Sequence, residues 1–199
     1  MLRFGPGYVE LVRTGLKHPS RELRLASFAL LERTAPEPKE AFEIVLDCFT
    51  DMDLEMRLRA IQALNRFGPQ SRKAVNLLGS ALHEKDEKLC AAAMKALAEM
   101  GPDAEPACPA LILLMSEEKS HEQAIVTLVA IGKGAVKDLS HALRNRDPHV
   151  RVGAANALGR IGADARSTAI ALSYLSRNDP YPGVRQAAQK ALTLVQAKK

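Results

Sequence analysis

DPHVRVGAANALGRIG, from Asp147 to Gly162, is the stretch of sequence that decides the fold. Asp147 is a favourable N-cap, and Pro148 suits the first helical turn because a backbone N–H there would have no intrahelical partner. Apolar residues then recur between Val150 and Ile161 at the spacing of a helix. Gly162 follows the last of them, where a glycine commonly ends a helix. The stretch therefore predicts one helix with a cap at each end.

The same pattern fits the 199-residue chain six times. The position of the closing glycine recurs after 33, 33, 31, 30 and 34 residues, at Ala35, Gly68, Gly101, Gly132, Gly162 and Gln196. Self-similarity at a nearly fixed period indicates a repeat array, in which each unit contacts only its neighbours.

A second amphipathic segment precedes the template helix in every unit. These segments, the first helices, are Tyr8–Leu16, Ala41–Phe49, Ala74–Leu82, Ala107–Met115, Ala135–Leu143 and Ala169–Leu175. Each has apolar residues at helical spacing and ends in a short polar break. We therefore predict twelve helices in six antiparallel pairs, with the template helix as the second helix of each pair. The predicted units are residues 7–35, 36–68, 69–101, 102–132, 133–162 and 163–196.

Two polar columns accompany the second helices. The N-cap column reads Ser20, Asp53, Asp86, Glu117 and Asp147, with Asp179 in this role in the last unit. The column four residues later reads Arg24, Arg57, Cys90, His121 and Arg151, with Arg185 in the last unit. An acid and an arginine four residues apart predict an ion pair within one helix, and stacked pairs would form a ladder between units. Because Cys90 and His121 interrupt this ladder, we expect the middle of the array to depart from a regular superhelix.

The Asp-Pro…Val-Arg…Ala-Ala…Ala-Leu…Gly pattern resembles HEAT repeats, in particular the short bacterial kind also seen in phycobilin lyases. The resemblance covers roughly residues 7 to 196. It implies an all-α fold, a right-handed α-α superhelix (α-solenoid) of six HEAT-like helix pairs. It also implies that the first helices lie on the convex face and that the second helices line the concave face.

The composition limits the classes of function. Tryptophan is absent and aromatic residues make up 4% of the chain, which leaves few platforms for stacked bases. The formal net charge is +5, which permits an acidic protein, nucleic acid or anionic lipid as partner without requiring one. The longest apolar run, Ala110–Met115, is too short to span a bilayer. The three cysteines, Cys48, Cys90 and Cys108, lack metal-binding spacing and predict buried, reduced thiols in a cytoplasmic protein.

The start of the chain repeats an internal junction. Arg3-Phe4-Gly5-Pro6 copies Arg66-Phe67-Gly68-Pro69, which ends one unit and opens the next. Residues 1–6 therefore look like the tail of a missing preceding repeat, and we hypothesise that the chain is a fragment or shortened relative of a longer array. The N-terminal edge looks less protected than the partly polar last helix, which leaves self-association through the array ends open.

Two enzymatic interpretations are disfavoured. His83-Glu84 and His121-Glu122 resemble the iron-holding pairs of HEAT-like deoxyhypusine hydroxylases, but that family needs four pairs in equivalent places. HEAT-like alkylpurine DNA glycosylases rely on Trp and other aromatics around a catalytic Asp, and this sequence has no Trp. We therefore predict no catalytic residue, no metal site and no cofactor.

The residues left for binding form a solvent-facing stripe on the second helices, at positions equivalent to 153, 156 and 160. These positions hold six basic residues and one acidic residue. The predicted partner-binding residues, which we call the second-helix stripe, are Arg33, Arg59, Gln62, Arg66, Lys95, Val126, Asn156, Arg160 and Lys190.

The stripe predicts a non-enzymatic protein–protein interaction scaffold that binds an acidic partner surface along the concave face. The competing interpretation is a solvated helix face that carries Lys and Arg without binding anything. Val126 is either an apolar anchor for a partner or part of the core. The alternative functions are nucleic-acid binding through the same basic groove and a HEAT-like lyase subunit that holds a tetrapyrrole.

Overall fold

The computed structural model describes residues 6–33 and 38–197, without the side chains of residues 6, 38, 39, 65, 66 and 68–70. Within this part of the chain the structure is all-α, and the prediction of twelve α-helices in six pairs is confirmed. The helices are α1 (Pro6–Leu16), α2 (Arg21–Arg33), α3 (Pro38–Asp47), α4 (Leu54–Ala63), α5 (Val75–Ala81), α6 (Glu87–Met100), α7 (Cys108–Leu114), α8 (His121–Ile131), α9 (Val136–Ala142), α10 (Pro148–Ile161), α11 (Ala169–Asn178) and α12 (Pro182–Gln196).

The core is one continuous seam that runs the length of the array, from Val12 in α1 to Val195 in α12. Within a unit, the first and second helices pack against each other, as α11 and α12 do. Between units, each second helix packs against the next second helix. This arrangement is what a stack of units with nearest-neighbour contacts produces.

The caps at helix starts and ends follow the sequence pattern in most units. The carboxylates of Asp53, Asp86 and Asp147 each accept a hydrogen bond from a backbone N–H in the first turn of their helix. Gly101 and Gly132, like Gly162, end their helices with a positive φ, of 58°, 70° and 73° respectively. A β-carbon is disfavoured in that conformation, so these positions require glycine.

Two predicted helix starts are wrong. In the fourth unit α8 begins at His121, with Ser120 rather than Glu117 at the N-cap. A Glu side chain is one methylene longer than the side chains that cap well, and Glu117 instead uses its backbone carbonyl to accept from His121 N at 2.9 Å. In the last unit the N-cap is Tyr181, and Asp179 lies two residues before it.

The second helix of the second unit and the first helix of the fourth unit are also shorter than predicted. After α4 the chain continues as a 3-10 helix from Leu64 to Ala74, so the second helix of that unit ends at Ala63 rather than at Gly68. Pro109 lies in the first turn of α7, which begins at Cys108. A proline is tolerated at that position, and α7 is one residue shorter than the predicted segment at each end.

An arginine on the second helix links each end unit to its neighbour in a motif that we call the arginine clamp. Arg151 Nη1 donates to the carbonyls of Asn145 and Arg146 at 2.9 and 3.0 Å, in the loop before its own helix. Its Nε and Nη2 donate to both carboxylate oxygens of Asp179, in the next unit, at 2.8 and 3.0 Å. Arg24 binds Asp51 in the same way, at 2.9 and 3.2 Å. Bidentate pairs of this kind fix both distance and orientation.

The clamp corrects the predicted ion pairs within one helix. Asp53 and Asp147 direct their carboxylates at backbone N–H groups, because an N-cap side chain lies over the start of its helix. The arginine four residues later turns back to the loop and outward to the following unit. The ladder between units therefore exists, and its arginine column reaches Asp51, Glu84 and Asp179. The cap carboxylate of Asp53 also pairs across units, with Arg21 of the preceding unit.

The clamp weakens toward the middle of the array. Arg57 reaches Glu84 with Nη2 alone, at 3.1 Å, and its buried Nε has no hydrogen-bond partner among the described residues. His121 keeps only the loop contact, with Nδ1 2.6 Å from the carbonyl of Met115. Cys90 keeps a weak contact from Sγ to the carbonyl of Leu82 at 3.7 Å. The predicted departure of the middle units from a regular superhelix stays a prediction.

Close approach between neighbouring second helices depends on small residues. A β-carbon added to Gly159 in α10 would lie 2.9 Å from Ala191 Cα and 3.1 Å from Ala191 Cβ in α12. Because the nearest of these atoms belongs to the backbone, the helices would have to separate to accept a methyl group.

We expect Gly159→Ala to lower the free energy of unfolding by about 1–3 kcal/mol, because α10 and α12 must move apart. The measurement is urea unfolding followed by circular dichroism. The control is Gly183→Ala in the first turn of α12, where an added β-carbon meets nothing within 4 Å. An unchanged unfolding midpoint for Gly159→Ala would contradict the close approach.

We expect Arg151→Ala to cost about 3–5 kcal/mol, because it leaves the buried carboxylate of Asp179 without its counterion. The side chains of Arg151 and Asp179 are 9% and 3% exposed. The matched control is the exposed Arg144→Ala, which we expect to change stability by less than about 0.5 kcal/mol. Equal losses for the two variants would show that the clamp contributes nothing beyond a surface charge.

The clamp also predicts an acid dependence. Burial alone would raise the pKa of Asp179, but the hydrogen bonds from Arg151 and from the Tyr181 N–H outweigh it and lower the pKa. The stabilisation is therefore present above the unfolded-state pKa of about 3.9 and is lost as pH falls through the lower folded value. We expect the thermal midpoint of wild type to fall more steeply than that of Asp179→Asn between neutral pH and about pH 3. Parallel curves would contradict the assignment.

Candidate interaction surface

The second helices form the more tightly stacked layer of the array. They pack on one another from α4 through α12, whereas the first helices contact their counterparts less. This difference in packing agrees with second helices on the inner side of a curved stack, but the placement of the second-helix stripe on the concave face stays a prediction.

Most of the second-helix stripe is solvent-accessible. Arg33, Gln62, Lys95, Arg160 and Lys190 are exposed, and Arg59, Val126 and Asn156 are half-buried. The side chain of Arg66 lies outside the described residues. The intermediate exposure of Val126 leaves its two interpretations open.

One of the three template positions does not face solvent in every unit. Gly153 and Ala187, at the position equivalent to 153, are buried. A β-carbon on Gly153 would lie 2.6 Å from Sδ of Met115, which directly follows the first helix of the preceding unit. In the sixth unit the preceding position carries the exposed Gln186 instead, and in the fifth unit it carries the half-buried Val152.

Carboxylates at positions outside the stripe neutralise much of its positive charge. Arg59 Nε donates to Glu55 Oε1 at 3.0 Å, and its Nη1 lies 3.8 Å from Glu32 Oε2. Arg160 Nη1 donates to Glu122 Oε1 at 2.8 Å. Because the glutamates are adjacent to the cations, the stripe carries mixed charge rather than a continuous positive potential.

The two ends of the stripe differ from its middle. Lys95 Nζ lies 3.9 Å from Glu99 Oε1, so it belongs with the paired cations. Arg33 in α2 and Lys190 in α12 make no ion pair with any described residue and are exposed. Among the described side chains of the stripe, the uncompensated positive charge therefore lies at the ends.

Spacing in the sequence identifies only part of this arrangement. Glu55 and Arg59 are four residues apart on one helix, so their pairing was readable from the sequence. Glu122 and Arg160 are 38 residues apart and meet because α8 and α10 stack. No signal in the sequence alone could have found that pair.

The thiols and histidines make no reactive or metal-binding site in the described part of the chain. Burial raises the pKa of Cys48 and of Cys108 to about 12, and burial also raises the pKa of Cys90. A thiol with a raised pKa is a poor nucleophile at neutral pH. The described residues include no cluster of His, Cys, Asp and Glu large enough to hold a metal ion.

Within residues 6–33 and 38–197, no helix combines the length and the apolar character that crossing a bilayer requires.

A family model for HEAT repeats matches residues 42–128 and 109–193. The chain belongs to the HEAT-repeat family. The matched residues extend from α3 to α12 and include the clamp of Arg151 and Asp179 and most of the second-helix stripe, whereas Arg24 and Arg33 lie before them. The search of curated proteins found no significant match.

Solved structures that resemble this HEAT array are repeat solenoids. A designed armadillo repeat protein in complex with the peptide (KR)4 is 16% identical, with a TM-score of 0.54, over 94% of this chain and 99% of that chain. The complex of CpcE and CpcF of phycocyanin lyase from Nostoc sp. PCC7120 is 20% identical, with a TM-score of 0.55, over 98% and 78%. An engineered protein is 21% identical, with a TM-score of 0.56, over 94% and 98%. These likenesses confirm the fold class, an α-α superhelix of HEAT-like helix pairs.

Proposed function

We propose that this HEAT array is a non-enzymatic scaffold that binds the acidic surface of another protein along the second-helix stripe. The observation that carries the proposal is the row of accessible cations on one face of the second helices, with Arg33 and Lys190 unpaired among the described residues. Because those two residues lie on the first and last second helices, an extended partner would contact both.

The paired cations in the middle of the stripe are compatible with an acidic partner. Exposed ion pairs of this kind contribute only about 0.2–1 kcal/mol each. A partner carboxylate therefore competes for Arg160 or Lys95 at little cost in stability. The glutamates would repel a partner with no matching cations, so we expect the partner to present acids at spaced positions with a few basic residues between them.

The scaffold itself favours protein recognition. A stack of clamped units is already ordered before binding, so little conformational entropy is lost on association. The structural relatives include a designed armadillo protein in complex with a peptide and a complex of two lyase subunits, which supports recognition of a polypeptide. The burial of Cys48, Cys90 and Cys108 supports a non-enzymatic role over thiol chemistry.

The test is fluorescence anisotropy with labelled octapeptides at several salt concentrations. We expect an (Asp-Glu)4 peptide to bind at least tenfold more tightly than a (Lys-Arg)4 peptide. We expect Arg33→Glu/Arg59→Glu/Lys190→Glu to abolish this preference, because it reverses charge on the stripe alone. The matched control, Lys133→Glu/Lys137→Glu/Arg144→Glu, makes the same change in net charge at exposed positions in and around the first helix α9.

Three outcomes would count against the proposal. Equal losses in the two triple variants would mean that the peptide senses only net charge. Absence of binding by either peptide would remove the stripe as an electrostatic site. Tighter binding of single-stranded DNA than of the acidic peptide, with a steep loss of affinity on adding salt, would favour nucleic acid instead.

A further inference from the structure

Positive charge is concentrated in the last two units of the array. Residues 133–196 carry ten Lys and Arg residues and four Asp and Glu residues, a formal net charge of +6 in a chain whose total is +5. Arg151 is paired internally, with Asp179. Lys133, Lys137 and Arg144 are exposed and make no ion pair with any described residue. They lie in and around the first helix α9, so the second-helix stripe does not include them.

Three positions of each first helix are exposed in all six units, and we call them together the first-helix face. In the fifth unit they are Lys137, His141 and Arg144, which surround the buried Leu139 in the sequence. Their equivalents in the other units are all exposed: Glu10, Thr14, Lys17, Glu43, Asp47, Thr50, Asn76, Ser80, His83, Pro109, Leu113, Ser116, Ile170, Tyr174 and Arg177. Units with a neighbour on each side expose these positions too, so their exposure does not depend on where the array begins or ends.

The character of the first-helix face changes along the array. The first two units contribute three acids, Glu10, Glu43 and Asp47, and one lysine. The third and fourth units contribute no Asp, Glu, Lys or Arg at these positions. The fifth unit contributes two cations and no acid, and the sixth contributes Arg177 with two large apolar or aromatic side chains. The face is therefore acidic at one end and basic at the other.

Large apolar side chains lie on both sides of the basic row of α9. Leu113 in α7 is 61% exposed, and Ile170 and Tyr174 in α11 are 86% and 67% exposed. α9 packs against α7 and against the 3-10 segment Gly162–Thr168 that leads into α11. Ile170, Tyr174 and Arg177 line the same shallow cleft. Cations and exposed aliphatic groups are thus combined on one surface.

The acids of this region do not cancel its charge. Asp138 in α9 is half-buried, whereas the cations of the same helix are exposed. Asp164, in the segment before α11, is exposed but forms no ion pair with any described residue. The cations of the face are therefore available to an anionic partner.

We propose that the first-helix face of the fifth and sixth units binds the surface of an anionic lipid membrane. The basic row contacts the lipid phosphates, and the side chains of Leu113, Ile170 and Tyr174 enter the interface between headgroups and acyl chains. Electrostatic attraction and burial of apolar area add in this mode of binding, and each alone is weak. A tyrosine suits the interface because its ring is apolar and its hydroxyl reaches water.

The aliphatic side chains favour a membrane over nucleic acid. Surfaces that bind single strands combine cations with aromatic rings on which successive bases stack. Tyr174 is the one aromatic residue of the described first-helix face, and Ile170, the most exposed of its apolar residues, offers no ring. A methyl-rich side chain gains instead from transfer out of water into hydrocarbon.

The acidic end of the face determines which part of the array meets the membrane. Helices of neighbouring units lie about 8–10 Å apart, and charges are screened over about 8 Å at physiological ionic strength. The acids of the first two units are therefore too far away to weaken the attraction at α9. An anionic surface repels them, so the array contacts the membrane with its last two units. The second-helix stripe lies on the other helix of each pair and is left for a protein partner.

Co-sedimentation of the full chain with lipid vesicles tests the proposal. The vesicles are phosphatidylcholine alone or phosphatidylcholine with about one-third phosphatidylserine. We expect at least about tenfold tighter binding to the anionic vesicles, because each Lys or Arg near a negative surface adds to the attraction. We expect Lys133→Glu/Lys137→Glu/Arg144→Glu to remove this preference.

The matched control is Arg33→Glu/Arg59→Glu/Lys190→Glu, which makes the same change in net charge on the second-helix stripe. We expect this control to retain most of the vesicle binding. The acidic peptide should respond to the two triple variants in the opposite order. Failure of either proposal is therefore visible without failure of the other.

A tryptophan probe tests whether the apolar side chains enter the membrane. The chain has no Trp, so one introduced residue reports alone. We expect the emission of Ile170→Trp to shift to shorter wavelength on anionic vesicles, because the indole leaves water. The control is Met52→Trp, at a position that is 89% exposed and outside the face, where we expect no shift. Circular dichroism melts verify that all variants fold.

Four results would overturn the proposal. They are equal binding of anionic and neutral vesicles, equal losses in the two triple variants, and an unchanged emission of Ile170→Trp on anionic vesicles. The fourth is binding of single-stranded DNA, lost in Lys133→Glu/Lys137→Glu/Arg144→Glu, by a chain that binds no vesicles. That result would assign the face to nucleic acid.

Discussion

Each second helix packs against the one before it through a column of small residues, and the rest of the array depends on this contact. Ala63, Ala96, Thr127, Ala157 and Ala191 form the column, and all are buried. Methyl groups and one hydroxyl there let two backbones approach until, at Gly159 in α10, no room for a β-carbon is left. The approach fixes the spacing and rotation of neighbouring units. It therefore also determines which loop carboxylates the clamp arginines reach.

The same contact explains why the two ends of the array are different surfaces. A unit presents its small column to the unit before it and larger apolar residues to the unit after it. At the C-terminal end the second of these surfaces carries Gln189, a polar residue that is exposed to solvent. At the N-terminal end the first surface carries the larger, exposed Leu30 in place of a small residue.

The candidate site was only partly predictable from the sequence. The exposure of Arg33, Lys95 and Lys190 followed from helical periodicity, because a helix with one buried face must expose the opposite one. The neutralising acids did not follow from it. Glu122 and Arg160 are 38 residues apart in the sequence and meet because their helices stack side by side. A count of the charges at the stripe positions omits such neighbours. The sequence predicted the exposure of these side chains but overestimated how basic the stripe is.

The sequence by itself determined the number of helix pairs and the cap residues at most helix starts, as it did at Asp53 and Asp147, because periodicity and capping act within one turn of a helix. Only the tertiary structure decided the partners of the arginines that lie four residues after the N-cap positions. Arg151 binds Asp179 of the following unit rather than the acid on its own helix, since the carboxylate at an N-cap is held by the backbone N–H groups beneath it. Contacts between units depend on the rise and rotation from one unit to the next, and no local pattern encodes those quantities.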